Sequence, residues 1–180
     1  MLFRSAYVTV TGQLGFDCII ASTGYHAVSH APGSTIISLE GGSTNLDLGR
    51  LQKQHRRTPF QGVIATDDSV VEIAAALTER LRLPGNSVEA VRRTCRKDLL
   101  KKALLNSPVL SPKGFEVGLD RPYESQILFA SYPCVAKPLT LSASRGVIRA
   151  DNSEQLKAAL ARIWRLIQKE GEDDYPVALV

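Results

Sequence analysis

Short apolar runs separated by turn residues dominate the first half of the chain. Three runs rich in β-forming residues are predicted to be strands: 16–21, 35–39 and 62–66. Apolar residues at helical spacing then predict a helix over 69–82, with Ser69 and Glu72 as a capping box and Leu83-Pro84-Gly85 as its end. Strands that alternate with helices indicate a parallel sheet.

The first fifteen residues fit two descriptions. The run 7–11 is rich in β-branched residues, which favours a strand. A helix is favoured because five apolar residues share one helical face: Phe3, Ala6, Tyr7, Val10 and Leu14. Gly15 also fits the position that follows a helix C-terminus, so we expect a helix here.

The second half of the chain continues the alternation. A helical stretch is predicted over 87–106, with a break near Cys95. Further strands are predicted at 113–117, 132–137, 147–150 and 175–180. A second amphipathic helix follows the cap residues 151–154 and carries its apolar residues on one face: Leu156, Leu160, Ile163 and Ile167.

The composition is that of an ordinary globular protein, with 180 residues of which 44% are hydrophobic and 22% charged. No apolar stretch approaches the ~18 residues that cross a membrane, and the N-terminus lacks a secretory signal. We therefore expect a cytoplasmic protein without a membrane partner. The three separated cysteines favour buried reduced thiols. His26 and His30 have helical metal spacing but no third ligand nearby, so no metal site is predicted.

The positive charge is local. Residues 91–113 hold seven basic residues against one acidic residue, Asp98. A solvated helix face is the simplest interpretation. A nucleic-acid surface is disfavoured because this stretch contains no aromatic residue on which bases could stack. One or two of these cations would suffice to contact a phosphate.

The chemistry is concentrated in residues 132–147, YPCVAKPLTLSASRGV. An apolar run delivers Lys137 into a loop of small and hydroxylated residues, which closes with Arg145-Gly146. Such a loop can lay backbone N–H groups and positive charge over phosphates. It is not a P-loop, because the chain has no Gly-x-x-x-x-Gly-Lys-Ser/Thr. The alternatives are an exposed lysine at Lys137 and a local carboxylate partner for Arg145.

An ordered set of motifs resembles the N-terminal part of the ATP-grasp carboxylate–amine ligases, in particular the amino-acid ligase branch with its carnosine-synthase-like enzymes. The set comprises Thr66-Asp67-Asp68, Leu83-Pro84-Gly85-Asn86-Ser87, Arg96-Lys97, Tyr132-Pro-x-Val-x-Lys137-Pro and Ser144-Arg145-Gly146-Val147. The resemblance extends over residues 14–180. It implies an α/β fold, with a Rossmann-like pre-ATP-grasp domain and its parallel sheet in 1–86, and the small ATP-grasp subdomain in 87–180.

The resemblance also implies the ATP-binding residues. Lys97 matches the first ATP lysine, which neutralises phosphate, and Lys137 matches the second, which reaches the α-phosphate and the adenine side. The mobile loop over the β- and γ-phosphates is matched by Ser142, Ser144, Arg145 and Gly146. Leu141 and Ala143 stand where glycine is common in the family, so this loop departs from the pattern.

By the same resemblance, parts of the family pattern fall outside residues 1–180. The first strand would precede Met1, and the last strand and the C-terminal subdomain would extend beyond Val180. We therefore expect ATP and a small carboxylate or amino acid as ligands, Mg²⁺ bound by residues outside this chain, and no turnover by the chain alone. A homodimer is left open, and no catalytic residue is assigned.

Two interpretations of the function follow. The first is the N-terminal part of an ATP-dependent ligase that forms an amide bond through an acyl phosphate. The alternative is a non-catalytic module, derived from an ATP-grasp protein, that binds a nucleotide or contacts a partner.

Overall fold

The computed structural model describes residues 3–22, 35–40, 44–105, 107–141, 143–171 and 176–180. The chain divides into two compact units, Met1–Val88 and Glu89–Val180. The first unit contains α1 (Phe3–Gln13), β1 (Ile19–Ser22), β2 (Thr35–Ser38), α2 (Thr44–Arg57), a 3-10 turn (Asp68–Val70) and α3 (Val71–Leu81). The second contains α4 (Val88–Cys95), which begins at the boundary, α5 (Lys97–Leu104), β3 (Glu116–Gly118), α6 (Glu124–Ile127), β4 (Cys134–Pro138), β5 (Ile148–Ala150), α7 (Ser153–Glu170) and β6 (Val177–Leu179).

The first unit is built on a parallel strand pair. Strands β1 and β2 run parallel in register from Ile19 opposite Thr35. A small apolar core joins the end of β2 to α2 and α3: Leu39, Leu48, Leu51 and Leu77. The α/β fold with a parallel sheet that the sequence predicts is therefore confirmed, as is a helix over the first residues.

Two local predictions in this unit are wrong. Residues 62–66 form no strand among the described residues; Val63 packs against the core, while Ile64 is exposed. Ser69 does not cap α3, because its hydroxyl donates a 2.6 Å hydrogen bond to Asp67. Asp67 instead caps the 3-10 turn by accepting from the Ser69 N–H at 3.1 Å. A short acceptor side chain before a helical turn satisfies one of its free N–H groups.

The second unit is an antiparallel four-stranded sheet with α7 on one face. The strand order is β3-β6-β4-β5, so the last strand inserts between two earlier ones. The predicted apolar face of α7 is confirmed, since all four of its residues are fully buried: Leu156, Leu160, Ile163 and Ile167. Asn152 caps this helix by accepting a 3.0 Å hydrogen bond from the Gln155 N–H.

The cysteines depart from the prediction of buried thiols. Cys95 is exposed as the last residue of α4, and Cys18 and Cys134 are only half-buried. Burial, together with the charge of Asp151, raises the pKa of the Cys134 thiol. In the described part of the chain no helix is long and apolar enough to cross a membrane. His26 and His30 lie outside the described residues.

Candidate functional site

Lys137 lies on the sheet face opposite α7. Its neighbour Ala136 is fully buried in the core beneath α7, and side chains alternate between the two faces of a strand. Lys137 pairs with Leu179 of β6, which in turn pairs with Glu116 of β3. Lys137 is half-buried as a residue. No other described residue supplies it with a hydrogen bond or ion pair.

Lys97 reaches the loop that follows β4. It is the first residue of α5, and its Nζ donates to the carbonyl oxygens of Leu139 at 3.0 Å and Leu141 at 2.9 Å. The structure thus brings a helix residue to a loop more than 40 residues away in sequence. Lys97 and Lys137, which the sequence assigns to one site, converge on the same segment from different elements.

The loop itself turns through left-handed backbone conformations. Ala143, Ser144 and Gly146 have φ angles of 54°, 58° and 74°. For a residue with a Cβ this conformation costs roughly 1–2 kcal/mol, so the turn is strained at Ala143 and Ser144. At Gly146 an added Cβ would lie 3.1 Å from the Cδ of Pro138. Ser142 lies outside the described residues.

Arg145 is anchored to the end of α7. Its Nη1 lies 2.7 Å from the Oε2 of Glu170, and both side chains are partly exposed. The local carboxylate that the sequence leaves as an alternative is therefore present. Because the pair is at the surface, it is weak, and Arg145 can exchange this partner for another anion at little cost.

The basic cluster of residues 92–102 is largely neutralised by its surroundings. Asp98 is 2% exposed and accepts two 2.9 Å hydrogen bonds from Arg96. Burial by itself raises the pKa of the Asp98 carboxyl, but the hydrogen bonds and charge of Arg96, with backbone N–H groups, hold it below its ordinary value. Lys102 lies 3.4 Å from Glu116 and Lys101 donates to the Pro112 carbonyl at 3.2 Å.

Sequence reasoning missed three residues of this site. Glu170 and Glu116 pair with cations far away along the chain, so no local signal marks them. Thr140 stands in the hydroxylated loop, and its Oγ1 is buried without a hydrogen-bond partner among the described residues. A buried hydroxyl without a partner is costly, which marks the base of this loop as a place where a polar ligand would be stabilising.

Comparisons with known proteins give matches at the level of structure. No protein-family model and no curated relative matches the chain. An L-amino acid ligase from Bacillus licheniformis matches 98% of this chain and 40% of its own, with a TM-score of 0.69 and 18% identity. The biotin carboxylase domain of a 2-oxoglutarate carboxylase from Hydrogenobacter thermophilus matches 98% and 41%, with a TM-score of 0.67 and 14% identity. A phosphoribosylglycinamide synthetase from Anaerococcus prevotii matches 98% and 42%, with a TM-score of 0.59 and 15% identity.

These matches show the fold. The chain has the α/β fold of the N-terminal part of ATP-grasp ligases, which confirms the resemblance seen in the sequence motifs. At 14–18% identity the likeness is one of fold. The chain spans about 40% of the length of these solved structures.

Proposed function

We propose that this chain is the part of an ATP-dependent carboxylate–amine ligase that binds the phosphates of ATP. In this proposal residues 1–86 form the pre-ATP-grasp domain and residues 87–180 the small ATP-grasp subdomain. The fold supports the proposal, and so do two structural neighbours. One is an L-amino acid ligase, and the other was solved with Mg-ADP.

The observation that carries the proposal is that Lys137 has no hydrogen-bond or ion-pair partner among the described residues. A lysine ammonium that no protein acceptor occupies is available to bind an anion such as phosphate. Lys137 has no acceptor within the described part of the chain, whereas beside the same loop Lys97 has two carbonyl acceptors and Arg145 has Glu170. An anion bound over the loop would supply the missing partner.

The residues of the loop fit a polyphosphate. Lys137 offers a point charge, Arg145 a planar pair of donors, and Ser144 a hydroxyl beside the turned backbone at Gly146. Among the described residues no group of three or more histidine, cysteine or carboxylate side chains could hold a metal ion. In this proposal the described residues bind the phosphates, and Mg²⁺ would be held by residues outside this chain.

The reaction proposed for the whole protein follows the chemistry of such ligases. A substrate carboxylate attacks the γ-phosphorus of ATP, ADP leaves, and an acyl phosphate forms. An amine then attacks the acyl carbon, phosphate leaves, and an amide bond remains. The loop of residues 139–147 would cover the phosphates and exclude water from the acyl phosphate.

Calorimetric titration with ATP tests the proposal. We expect Lys137→Ala to weaken binding at least about tenfold, because a charge-assisted contact to phosphate contributes roughly 1.5–3 kcal/mol. The matched control is Lys53→Ala, which removes an exposed lysine from α2 in the first unit and should leave affinity unchanged. Equal affinity for all three proteins would reject Lys137 as a phosphate ligand, and the absence of any ATP signal would favour a module that contacts a partner instead.

A further inference from the structure

Arg121 covers a glycine on the face of the sheet where Lys137 also lies. Val117 of β3 is fully buried in the core beneath α7, so the next residue, Gly118, faces the opposite side of the sheet. A Cβ added to Gly118 would lie 2.8 Å from the Nε and 3.3 Å from the Nη2 of Arg121. The guanidinium therefore occupies the place of a side chain at position 118, and the glycine is what admits it to this face.

The strand topology brings Arg121 to the same end of the sheet as the loop of residues 139–147. Strands β3 and β4 each pair antiparallel with β6, so they run in the same direction, and the segments that follow them leave the sheet at one end. Gly118 pairs with Val177, whose carbonyl accepts a 3.3 Å hydrogen bond from the Leu139 N–H. Because neighbouring strands are spaced by about 4.8 Å, the backbones of Gly118 and Leu139 lie about 10 Å apart. The Arg121 guanidinium thus lies near the start of the loop.

The guanidinium has no hydrogen-bond or ion-pair partner in the part of the chain that the structure describes. Arg121 is exposed, and neither Asp120 nor Glu124 pairs with it although both are close in sequence. The carboxylate of β3 on the same face, Glu116, lies 3.4 Å from Lys102 instead. A guanidinium carries five N–H donors in one plane, which match two oxygens of a single phosphate. Arg121 therefore presents donors that no described protein group uses.

An apolar side chain beside Lys137 indicates how a nucleotide would be directed on this face. Val135, two residues before Lys137, lies on the same face and is exposed. The apolar ring of a base fits this side of Lys137, whereas Arg121 and the start of the loop lie on the other side along the strand. The phosphates furthest from the base would then extend toward Arg121.

We infer that Arg121 binds a terminal phosphate of the nucleotide, β or γ, and that Gly118 is the residue that places it there. The identity of the ligand as a nucleotide rests on the proposed function. The anion site at Arg121 rests on the contacts and the strand topology, so it can be tested without a nucleotide.

Calorimetric titration with ATP and with AMP tests the assignment. Arg121→Ala should weaken ATP binding about tenfold, because a charge-assisted contact to two oxygens is lost. It should change AMP affinity by less than about twofold, because AMP has no terminal phosphates. The matched control is Arg165→Ala, which removes the same charge from an exposed position of α7 on the other face of the sheet and should change neither affinity. Unchanged ATP affinity in Arg121→Ala, or an equal loss for ATP and AMP, would overturn the inference.

Gly118→Ala displaces the guanidinium without removing its charge, so it should weaken ATP binding about as much as Arg121→Ala does. The free energy of unfolding should be unchanged or higher, because alanine is more stable than glycine within a strand. Urea denaturation followed by the fluorescence of Trp164, which packs against the core of this unit, measures it. The double variant should bind no more weakly than either single variant, since both changes remove one contact. Full ATP affinity in Gly118→Ala, or losses that add in the double variant, would contradict the placement by Gly118.

Inorganic tripolyphosphate separates this inference from the proposed function. It carries linked phosphates without a base, and Arg121→Ala should weaken its binding about tenfold as well. If the unaltered chain binds tripolyphosphate through Arg121 but does not bind ATP, the anion site stands and the proposed function fails. If ATP binding depends on Lys137 and not on Arg121, the proposed function stands and this inference fails. Binding of neither anion rejects both.

Discussion

Asp98 is the buried charge that holds the start of α5, and its removal should destabilise the second unit measurably. The side chain is 2% exposed and accepts two 2.9 Å hydrogen bonds from Arg96. Asparagine keeps the shape but turns an N–H₂ group toward a guanidinium donor. Removing one member of a buried ion pair costs about 3–5 kcal/mol. Because Arg96 is 30% exposed and can turn to water, we expect Asp98→Asn to lower the free energy of unfolding by about 2 kcal/mol.

Trp164 provides the assay. It is the single tryptophan of the chain and packs against the core of the second unit, so its fluorescence during urea denaturation reports the unfolding of that unit. The control is Glu89→Gln, which breaks the exposed Arg93–Glu89 pair on α4 and should cost no more than about 0.5 kcal/mol. An Asp98→Asn protein as stable as this control would refute the reasoning.

The pH dependence of the stability difference between the unaltered chain and Asp98→Asn tests whether that difference is electrostatic. Although burial alone raises it, Arg96 and the backbone N–H groups hold the pKa of folded Asp98 below its ordinary value of 3.8. A lowered pKa in the folded state means that the carboxylate stabilises the fold above that ordinary value, and that this contribution disappears as the pH falls through the lowered one. The stabilities of the unaltered chain and Asp98→Asn should therefore converge in acid. A gap that stays constant from pH 7 to below 3 would contradict the charge argument.

Two further predictions concern the loop. Glu170→Gln removes the carboxylate that competes with ATP for Arg145. Since surface pairs contribute about 0.2–1 kcal/mol, ATP should bind roughly 1.5–5-fold more tightly in calorimetry. The control is Glu154→Gln, which breaks the exposed Lys157–Glu154 pair on the same helix, and an equal gain in affinity there would indicate only a general charge effect. Gly146→Ala combines a positive φ with a close contact to Pro138, so it should destabilise the second unit by more than about 1 kcal/mol in urea. Ala143→Gly relieves a left-handed residue and should be neutral or stabilising. The opposite order of stability would contradict the strain argument for this turn.

The elements that could be predicted from the sequence are those in which apolar residues recur at a regular helical spacing. Helix α7 was predictable because four large apolar residues recur at helical spacing and all are buried. Helix α2 was not predicted, because its sequence is mostly polar, Leu48 and Leu51 are its buried apolar residues, and Gly49 lowers its helix propensity. The strand order β3-β6-β4-β5 could not be predicted from the sequence either. A short apolar run indicates a strand, but the choice of its neighbours depends on contacts far apart in the sequence.

Contacts between residues far apart in sequence also decide which acceptors surround each cation of the site, so the sequence could not show which cation is available to a phosphate. Counting charges treats Lys97, Lys137 and Arg145 alike, yet in the fold they differ in what surrounds them. Arg145 meets Glu170, which is 25 residues away, and Lys97 meets two backbone carbonyls that no charge count includes. Lys137 is half-buried on β4, and the described residues offer it no acceptor. Because a bound phosphate would be the first acceptor for Lys137 among the described groups, its replacement is the most informative single substitution in the chain.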